Sequence, residues 1–203
     1  MKTLNDTAAR LDVDELFHLA LRASQQNRHE DSIRYLKQVL EIDLNSSKAH
    51  YMLGAEHAEI GMYDRAVDDM SKAVALDPNL MTAHFQLGLL HITAGRVEEA
   101  VKAWKPLDAL GGENFLYLFK SGMLHLTKDE FAECVADLEQ GIALNKMNEA
   151  LNNDMRRIVE DAKQHTKTPP PSSTATNPSK HSKTASKTGH VLLSAYRNKD
   201  DKE

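Results

Sequence analysis

Small and apolar residues recur along this chain with a period of 34 residues. Residues 47–80 show the pattern clearly, with Gly54 at position 8, Gly61 at position 15 and Ala66 at position 20 of the period. Apolar residues between these markers follow helical spacing, so each period predicts two antiparallel helices, A at about positions 2–14 and B at about positions 18–31. Small residues let helices approach closely, and they recur at position 8 (Ala20, Gly54, Gly88, Gly122) and position 20 (Ser32, Ala66, Ala100, Cys134).

The period divides the chain without insertions. A short lead-in precedes four units, and a further helix follows them with one apolar stripe (Leu151, Met155, Ile158, Val159, Ala162) and Arg156 at position 8. One apolar face and one polar face are what the terminal cap of a repeat array needs. The predicted segments are the lead-in 1–12, the units 13–46, 47–80, 81–114 and 115–148, the capping helix 149–163 and a tail 164–203.

Pro106 falls inside the predicted helix B of the third unit. Proline lacks an N–H group and clashes with the carbonyl four residues earlier. We therefore expect a kink near residues 102–106 and an early end of the helix at Gly111 and Gly112, which either re-aims the fourth unit or merely shortens the helix.

The tail changes composition. It is rich in Pro, Ser, Thr and Lys without apolar periodicity, which predicts disorder. An apolar island at 190–197 interrupts it, and such an island is more often a docking segment than a linker. The island either docks on the chain's own groove, in the same or a neighbouring molecule, or binds another partner or nothing; its candidate residues are Val191, Leu192, Leu193 and Tyr196.

The spacing of the second unit resembles the tetratricopeptide repeat (TPR), at Leu53, Gly54, Gly61, Tyr63, Ala66, Ala73 and Pro78. The resemblance implies an all-α, right-handed solenoid of four helix–turn–helix repeats, whose A helices line a concave groove that binds ligands. TPR co-chaperones that hold the acidic C-terminus of heat-shock proteins carry Lys and Asn at positions 5 and 9 of their first repeat. Here these positions are Phe17 and Leu21, so we do not expect that ligand class.

Position 5 is aromatic in all four units, although aromatic residues make up 5% of the chain. It lies off the stripe of positions 4, 7, 8 and 11 that packs within a unit, and positions 9 and 12 share its face. If exposed, this face is an apolar groove for a helix or an extended apolar peptide; the alternative is that neighbouring helices or the tail bury it. The predicted groove residues are Phe17, Leu21, Tyr51, Ala55, Phe85, Leu89, Ile92, Phe119, Met123 and Leu126.

The charge balance argues against nucleic acid as a partner. The net charge is -5, but residues from Gln164 onward carry seven basic and three acidic residues, leaving eighteen basic and twenty-seven acidic in the rest. An acidic body does not favour nucleic-acid binding. The N-terminal stretch lacks a signal-peptide core, no run is long enough to cross a bilayer, and the single cysteine favours a reducing compartment, so we predict a cytoplasmic protein without membrane contact.

The residues with reactive side chains fit packing better than chemistry. His50 and His57, like His84 and His91, are seven residues apart, not the i,i+4 spacing of a helical metal site, and no carboxylate or cysteine shares their stripe. We therefore expect each imidazole at position 11 to fill an apolar slot with one nitrogen hydrogen-bonded, and we predict no metal. Cys134 is expected as a buried filler, and the acidic pairs at 68–69 and 98–99 are expected on solvated faces of B helices.

The sequence predicts a non-enzymatic adaptor or scaffold that binds an apolar helix or peptide in its groove, without a cofactor. Two finer roles stay open. One is a chaperone for a secretion or assembly system, and the other is a regulatory subunit of an enzyme complex. Self-association through the tail also stays open.

Overall fold

The computed structural model describes residues 11–167, and within this range the secondary structure is helical, with no strand. Each helix packs chiefly against the helices before and after it in the chain. The helices are α1 (Val13–Gln25), α2 (His29–Ile42), α3 (Ser47–Glu59), α4 (Tyr63–Leu76), α5 (Met81–Thr93), α6 (Val97–Trp104), a 3₁₀ helix (Lys105–Leu110), α7 (Phe115–Leu126), α8 (Phe131–Leu144) and α9 (Glu149–Lys167).

The helix starts follow the 34-residue period. Helices A (α1, α3, α5, α7) begin at residues 13, 47, 81 and 115, and helices B (α2, α4, α6, α8) begin at residues 29, 63, 97 and 131. Polar side chains cap three of the A helices. Asp12 and Glu15 form a reciprocal capping box on α1, Ser46 caps α3 and Asn114 caps α7. The result is the all-α solenoid that the repeat pattern predicts.

The turn between helices A and B needs a left-handed residue in every repeat. The two predicted glycines, Gly61 and Gly95, have φ of 78° and 73°. Asn27 and Asp129 occupy the same position 15 in the other two repeats, with φ of 56° and 59°. Asn and Asp tolerate this conformation better than other residues with a Cβ atom. The turn is therefore the same in all four repeats although its residue differs.

Position 8 is where the two helices of a repeat come closest. A Cβ atom placed on Gly88 would lie 2.0–2.4 Å from atoms of the Trp104 ring, and one on Gly122 would lie 2.7 Å from the Leu138 side chain. In the first repeat the residue is Ala20, which is fully buried. The small residues are therefore required by helix packing, as predicted.

Helix B of the third repeat ends early, as the proline predicts. α6 stops at Trp104, and the chain continues as a 3₁₀ helix that contains Pro106 and ends before Gly111, where φ is 72°. Leu107 in this segment is fully buried. Of the two parts of this helix B, α7 packs mainly against the 3₁₀ helix and less against α6. The junction between repeats 3 and 4 therefore differs from the two junctions before it.

α9 closes the C-terminal end of the solenoid. Its predicted stripe is turned inward, with Leu151, Met155, Val159 and Ala162 buried and Ile158 half-buried. Arg156 is exposed and donates to Glu149.

A buried asparagine cluster holds the start of α9. Asn145 donates to the side chain of Asn152 and to the Asn148 carbonyl, and the Asn148 side chain accepts from Leu151 N. These contacts replace the proline-containing loop that follows the second repeat.

Two sequence-based predictions concern residues that lie outside the described range. The lead-in at 1–12 is described only at Leu11 and Asp12, and the predicted disordered tail only at residues 164–167, which belong to α9. The apolar island at 190–197 is not among the described residues. Of the helices in 11–167, none combines the length and the apolar character needed to cross a membrane.

Candidate functional site

The predicted groove is mostly core. Six of its ten residues have no more than 1% of their surface exposed, so the prediction that they form an open apolar surface is wrong for them: Tyr51, Ala55, Phe85, Leu89, Phe119 and Met123. The other four are half-buried and pack against the core: Phe17, Leu21, Ile92 and Leu126.

Phe85 shows why position 5 is interior. Its ring stacks on Trp104 with centroids 6.2 Å apart, and the Trp104 Nε1–H donates to the Phe85 carbonyl at 2.9 Å. On its other side lies the Phe119 ring of the next repeat, also at 6.2 Å. Each inner A helix is enclosed by its own helix B, the preceding helix B and the neighbouring A helices, so more than the one stripe of a helical hairpin is buried.

Tyr51, the position-5 residue of repeat 2, has a buried hydroxyl group. Burial raises the pKa of its phenol well above the usual range, and hydrogen bonding with Thr82 and Gln86 lowers this pKa in part. Thr82 and Gln86 occupy positions 2 and 6 of the following repeat. Position 5 of repeat 2 therefore packs against α5, across the junction between repeats, rather than facing an open groove.

The four half-buried residues define what remains of the apolar face, which we call the open face: Phe17 and Leu21 on α1, Ile92 on α5 and Leu126 on α7. The corresponding positions 5, 9 and 12 of the capping helix α9 are polar and exposed: Asn153, Arg157 and Glu160. The apolar side chains on this face are therefore confined to the repeats, and the capping helix α9 has polar side chains at the same positions.

The histidines of repeat 2 fill their packing positions and bind a carboxylate. His57 Nδ1 lies 2.9 Å from Asp69 Oδ2, and His50 Nδ1 lies 3.4 Å from Asp69 Oδ1. Asp69 is buried, which corrects the expectation of a solvated acidic pair, while its neighbour Asp68 is exposed. The carboxylate comes from α4, so the stripe that carries the histidines does not reveal this contact.

Repeat 4 repeats this arrangement with a different neighbour. His125 Nδ1 lies 2.5 Å from Glu130 Oε2, and its Nε2 lies 3.6 Å from Asp137 Oδ2. Asp137 and Asp69 share position 23 of the repeat. Among residues 11–167 no group of three or more His, Cys, Asp or Glu side chains has an arrangement able to hold a metal ion.

His91 is the exception among the histidines at position 11. The residue at position 23 of its repeat is Ala103, so no carboxylate is supplied from helix B. Within the described range its buried Nδ1 atom has no hydrogen-bond partner. Burial lowers the pKa of His91, and the nearby Arg96 lowers it further. Among the three histidines at position 11, the predicted hydrogen bond through one ring nitrogen is found at His57 and His125.

Glu56 is a fully buried carboxylate that was not among the predicted site residues. It accepts from the Ser32 hydroxyl at 3.0 Å and lies 2.7 Å from His29 Nδ1. Both partners belong to α2, so these bonds join repeat 1 to repeat 2. Its position 10 is apolar in repeats 3 and 4 (Leu90, Leu124), which gave no signal for a charged residue there.

Cys134 is a packing residue, as expected. It is fully buried at position 20, and burial, followed by the nearby Asp137, raises the pKa of its thiol to about 11. The thiolate is the reactive form of cysteine. A thiol with so high a pKa is a poor nucleophile at neutral pH.

Comparison with known proteins agrees with this architecture. The tetratricopeptide repeat family model matches residues 47–80. No curated protein sequence matches the chain.

Several solved structures share the fold. A crystal structure of MamA is 22% identical and covers 66% of this chain and 78% of its own, with a TM-score of 0.56. MamA from Desulfovibrio magneticus RS-1 is 17% identical and covers 76% of this chain and 91% of its own, with a TM-score of 0.56. YrrB, described as a TPR protein with an unusual peptide-binding site, is 17% identical and covers 77% of this chain and 78% of its own, with a TM-score of 0.55. With the register of its helices, these findings show a tetratricopeptide repeat at residues 47–80 within a helical solenoid that shares the fold of these structures.

Proposed function

We propose that this protein is a non-enzymatic adaptor or scaffold that binds a partner protein through an apolar segment on the open face. The observation that carries the proposal is the contrast between the repeats and the cap. Half-buried apolar side chains remain at positions 5 and 9 of repeat 1 and at position 12 of repeats 3 and 4, whereas positions 5, 9 and 12 are polar and exposed in α9. An apolar surface that remains accessible and has a polar border is a common feature of interaction sites.

The partner's segment is short and neutral or basic. Six of the ten predicted groove residues are unavailable because they are buried, so a long apolar helix has no continuous groove to fill. Eighteen basic and twenty-seven acidic residues precede Gln164, and a surface of this sign favours basic flanking residues in a partner. This limited apolar area supports an adaptor over a chaperone that must cover an extended apolar export substrate.

Two further observations bear on the role. TPR proteins are generally interaction modules without catalytic activity, and YrrB, which shares the fold at low identity, is described as having a peptide-binding site. A regulatory subunit of an enzyme complex is one form that such binding takes. We also propose a cytoplasmic location, because the single cysteine of the chain favours a reducing compartment.

The test is peptide selection on the full-length chain followed by calorimetric titration with a selected apolar peptide. Leu126→Glu should weaken binding at least about ten-fold, because it places an uncompensated charge where the peptide's apolar side chain would pack. Leu144→Glu is the matched control, since Leu144 is an exposed leucine in a B helix, outside the open face. Far-ultraviolet circular dichroism verifies that both variants are folded.

Equal affinities of the wild type and both variants would show that the peptide binds elsewhere. A second variant, Phe17→Glu, separates the two ends of the open face. Loss of binding in Leu126→Glu alone would place the peptide on repeats 3 and 4, and loss in Phe17→Glu alone would place it on repeat 1. If no apolar peptide can be selected, the proposed function is wrong.

A further inference from the structure

We propose that the chain's own apolar island, residues 190–197, covers the end of the open face formed by Ile92 and Leu126, and so competes with the partner. The proposal rests on the proposed function in assigning the open face to partner binding, and it adds an occupant that regulates that binding. Three features of the molecule carry it: where α9 ends, how far the remaining chain reaches, and how charge is divided between body and tail.

α9 delivers the tail to the correct edge of the solenoid. It begins at position 1 of a fifth period and therefore runs in the direction of the A helices. Its end lies beside the start of α8, where the His165 ring stacks on Phe131 with centroids 5.0 Å apart. Phe131 follows the turn that succeeds α7, and Leu126 is the last residue of α7. The chain thus leaves the described structure near the edge where Leu126 lies.

The intervening chain is long enough to reach repeats 3 and 4. Twenty-two residues, 168–189, separate the end of α9 from the island. Fully extended, a chain of this length spans at most about 75 Å. Axes of packed helices are about 10 Å apart, so α7 and α5 lie at roughly 10 and 20 Å from α9, and α1 at roughly 40 Å. The island therefore reaches Leu126 and Ile92 more readily than Phe17 and Leu21.

Charge draws the tail back to the body. Residues 168–199 contain five basic residues and no acidic ones: Lys180, Lys183, Lys187, Arg197 and Lys199. α8, whose start lies beside the end of α9, carries Glu133, Asp137 and Glu139 and no basic residue. Of these, Glu139 also pairs with Lys163 of α9. Opposite charges on two parts of one chain raise the local concentration of one part near the other. The island brings the apolar contacts, and the residues around it bring the electrostatic attraction.

The side chains of the island match the surface they would cover. Val191, Leu192 and Leu193 are the apolar core of an otherwise polar tail. Ile92 and Leu126 are half-buried aliphatic residues at position 12 of successive A helices. Aliphatic contact of this kind is non-directional and needs no matched polar groups, so a short segment suffices to cover the two residues.

The test uses methyl NMR spectra of the full-length chain, with the signals of Ile92 and Leu126 assigned. Introducing Leu192→Glu and Leu193→Glu together should shift both signals, because the charged island leaves the open face. The control carries the same added charge outside the island, as Thr174→Glu and Thr176→Glu, and should leave both signals in place. Spectra at several protein concentrations distinguish the chain's own island from that of a second molecule.

Unchanged Ile92 and Leu126 signals in the island variant would overturn the proposal, and shifts of equal size in the control would do the same. A signal difference that disappears on dilution would assign the island to a second copy and overturn the intramolecular form. A selected peptide should also bind the island variant about ten-fold more tightly if the docked tail occupies the face about nine-tenths of the time. The NMR comparison needs no partner, so its outcome is separate from whether any peptide binds.

Discussion

Repeats 1 and 2 are joined by buried ionisable groups, whereas repeats 3 and 4 are joined by aromatic rings. In the first pair, Glu56 binds Ser32 and His29 across the junction, and Asp69 binds His57 within repeat 2. In the second pair, Phe85 stacks on Trp104 and contacts Phe119. The two pairs of repeats have the same spacing of helix starts and the same turn geometry. Different side-chain contacts therefore stabilise the same backbone arrangement.

The repeat framework therefore constrains the size of buried side chains more strongly than their polarity. Trp104 at position 24 fits because Gly88 at position 8 leaves room for its ring. Position 10 accommodates Glu56 because α2 supplies a hydroxyl and an imidazole that satisfy the carboxylate. Without these partners, the buried Glu56 charge would destabilise the fold far more than the paired carboxylate does. Size complementarity acts within a repeat, and polar complementarity acts here across a junction.

The largest effect should come from Gly88→Ala, which tests the aromatic half. The new Cβ atom would lie 2.0–2.4 Å from atoms of the Trp104 ring, and the ring is fixed by its hydrogen bond to the Phe85 carbonyl. We expect a loss of about 3 kcal/mol in the free energy of unfolding, measured by urea denaturation. Gly112→Ala is the control, because its Cβ would meet no atom within 4 Å. Similar stability of the two variants would show that the Trp104 packing is not tight.

A smaller effect is expected from Glu56→Gln, which tests the polar half. The change keeps the shape of the side chain but removes the charge that His29 and Ser32 bind, so about 2 kcal/mol of the free energy of unfolding should be lost. Glu41→Gln on an exposed part of α2 should change it by less than about 0.5 kcal/mol. If both variants unfold at the same urea concentration, the Glu56 contacts do not stabilise the junction.

The smallest effect is a pH dependence at His91, where the third repeat lacks the carboxylate found in the second and fourth. Burial and Arg96 lower the pKa of His91 in the folded state, so the unfolded chain takes up the proton more readily. The stability contributed by neutral His91 is present above the ordinary histidine pKa of about 6.5 and is lost as pH falls below it.

Thermal unfolding between pH 7 and pH 5 measures this effect. The wild type should lose more stability over this range than His91→Gln. His18→Gln, at an exposed histidine, serves as the control and should behave as the wild type does. A wild type and His91→Gln with parallel pH profiles would contradict the prediction.

Much of the fold follows from local spacing. The helix starts, the left-handed turn at position 15, the need for small residues at position 8 and the break at Pro106 all depend on residues within one period. Each is a matter of backbone conformation or of steric contact between two helices that are adjacent in the chain. Such features repeat because the helical hairpin repeats, and a single sequence therefore reveals them.

The candidate site was predicted only in part. Position 5 has an aromatic residue in every repeat, but the pattern does not say how many neighbours enclose it, and Tyr51, Phe85 and Phe119 are core while Phe17 is half-buried. Phe17 differs because, within residues 11–167, α1 has no preceding helix B packed against it. Exposure depends on a helix's place in the array, which is a property of the assembled repeats and not of the repeat sequence.

The carboxylate partners of the histidines likewise depend on the assembled repeats and not on the sequence pattern of one repeat. His57 and Asp69 are twelve residues apart on two helices, and Glu56 and His29 are twenty-seven apart in different repeats. The amino-acid pattern alone established the order of the helices and the period of their starts, because these arise from short-range sterics and helical periodicity. Which side chains meet, and which apolar residues remain accessible to a partner, was settled by packing between repeats, because burial and charge pairing depend on neighbours from distant parts of the chain.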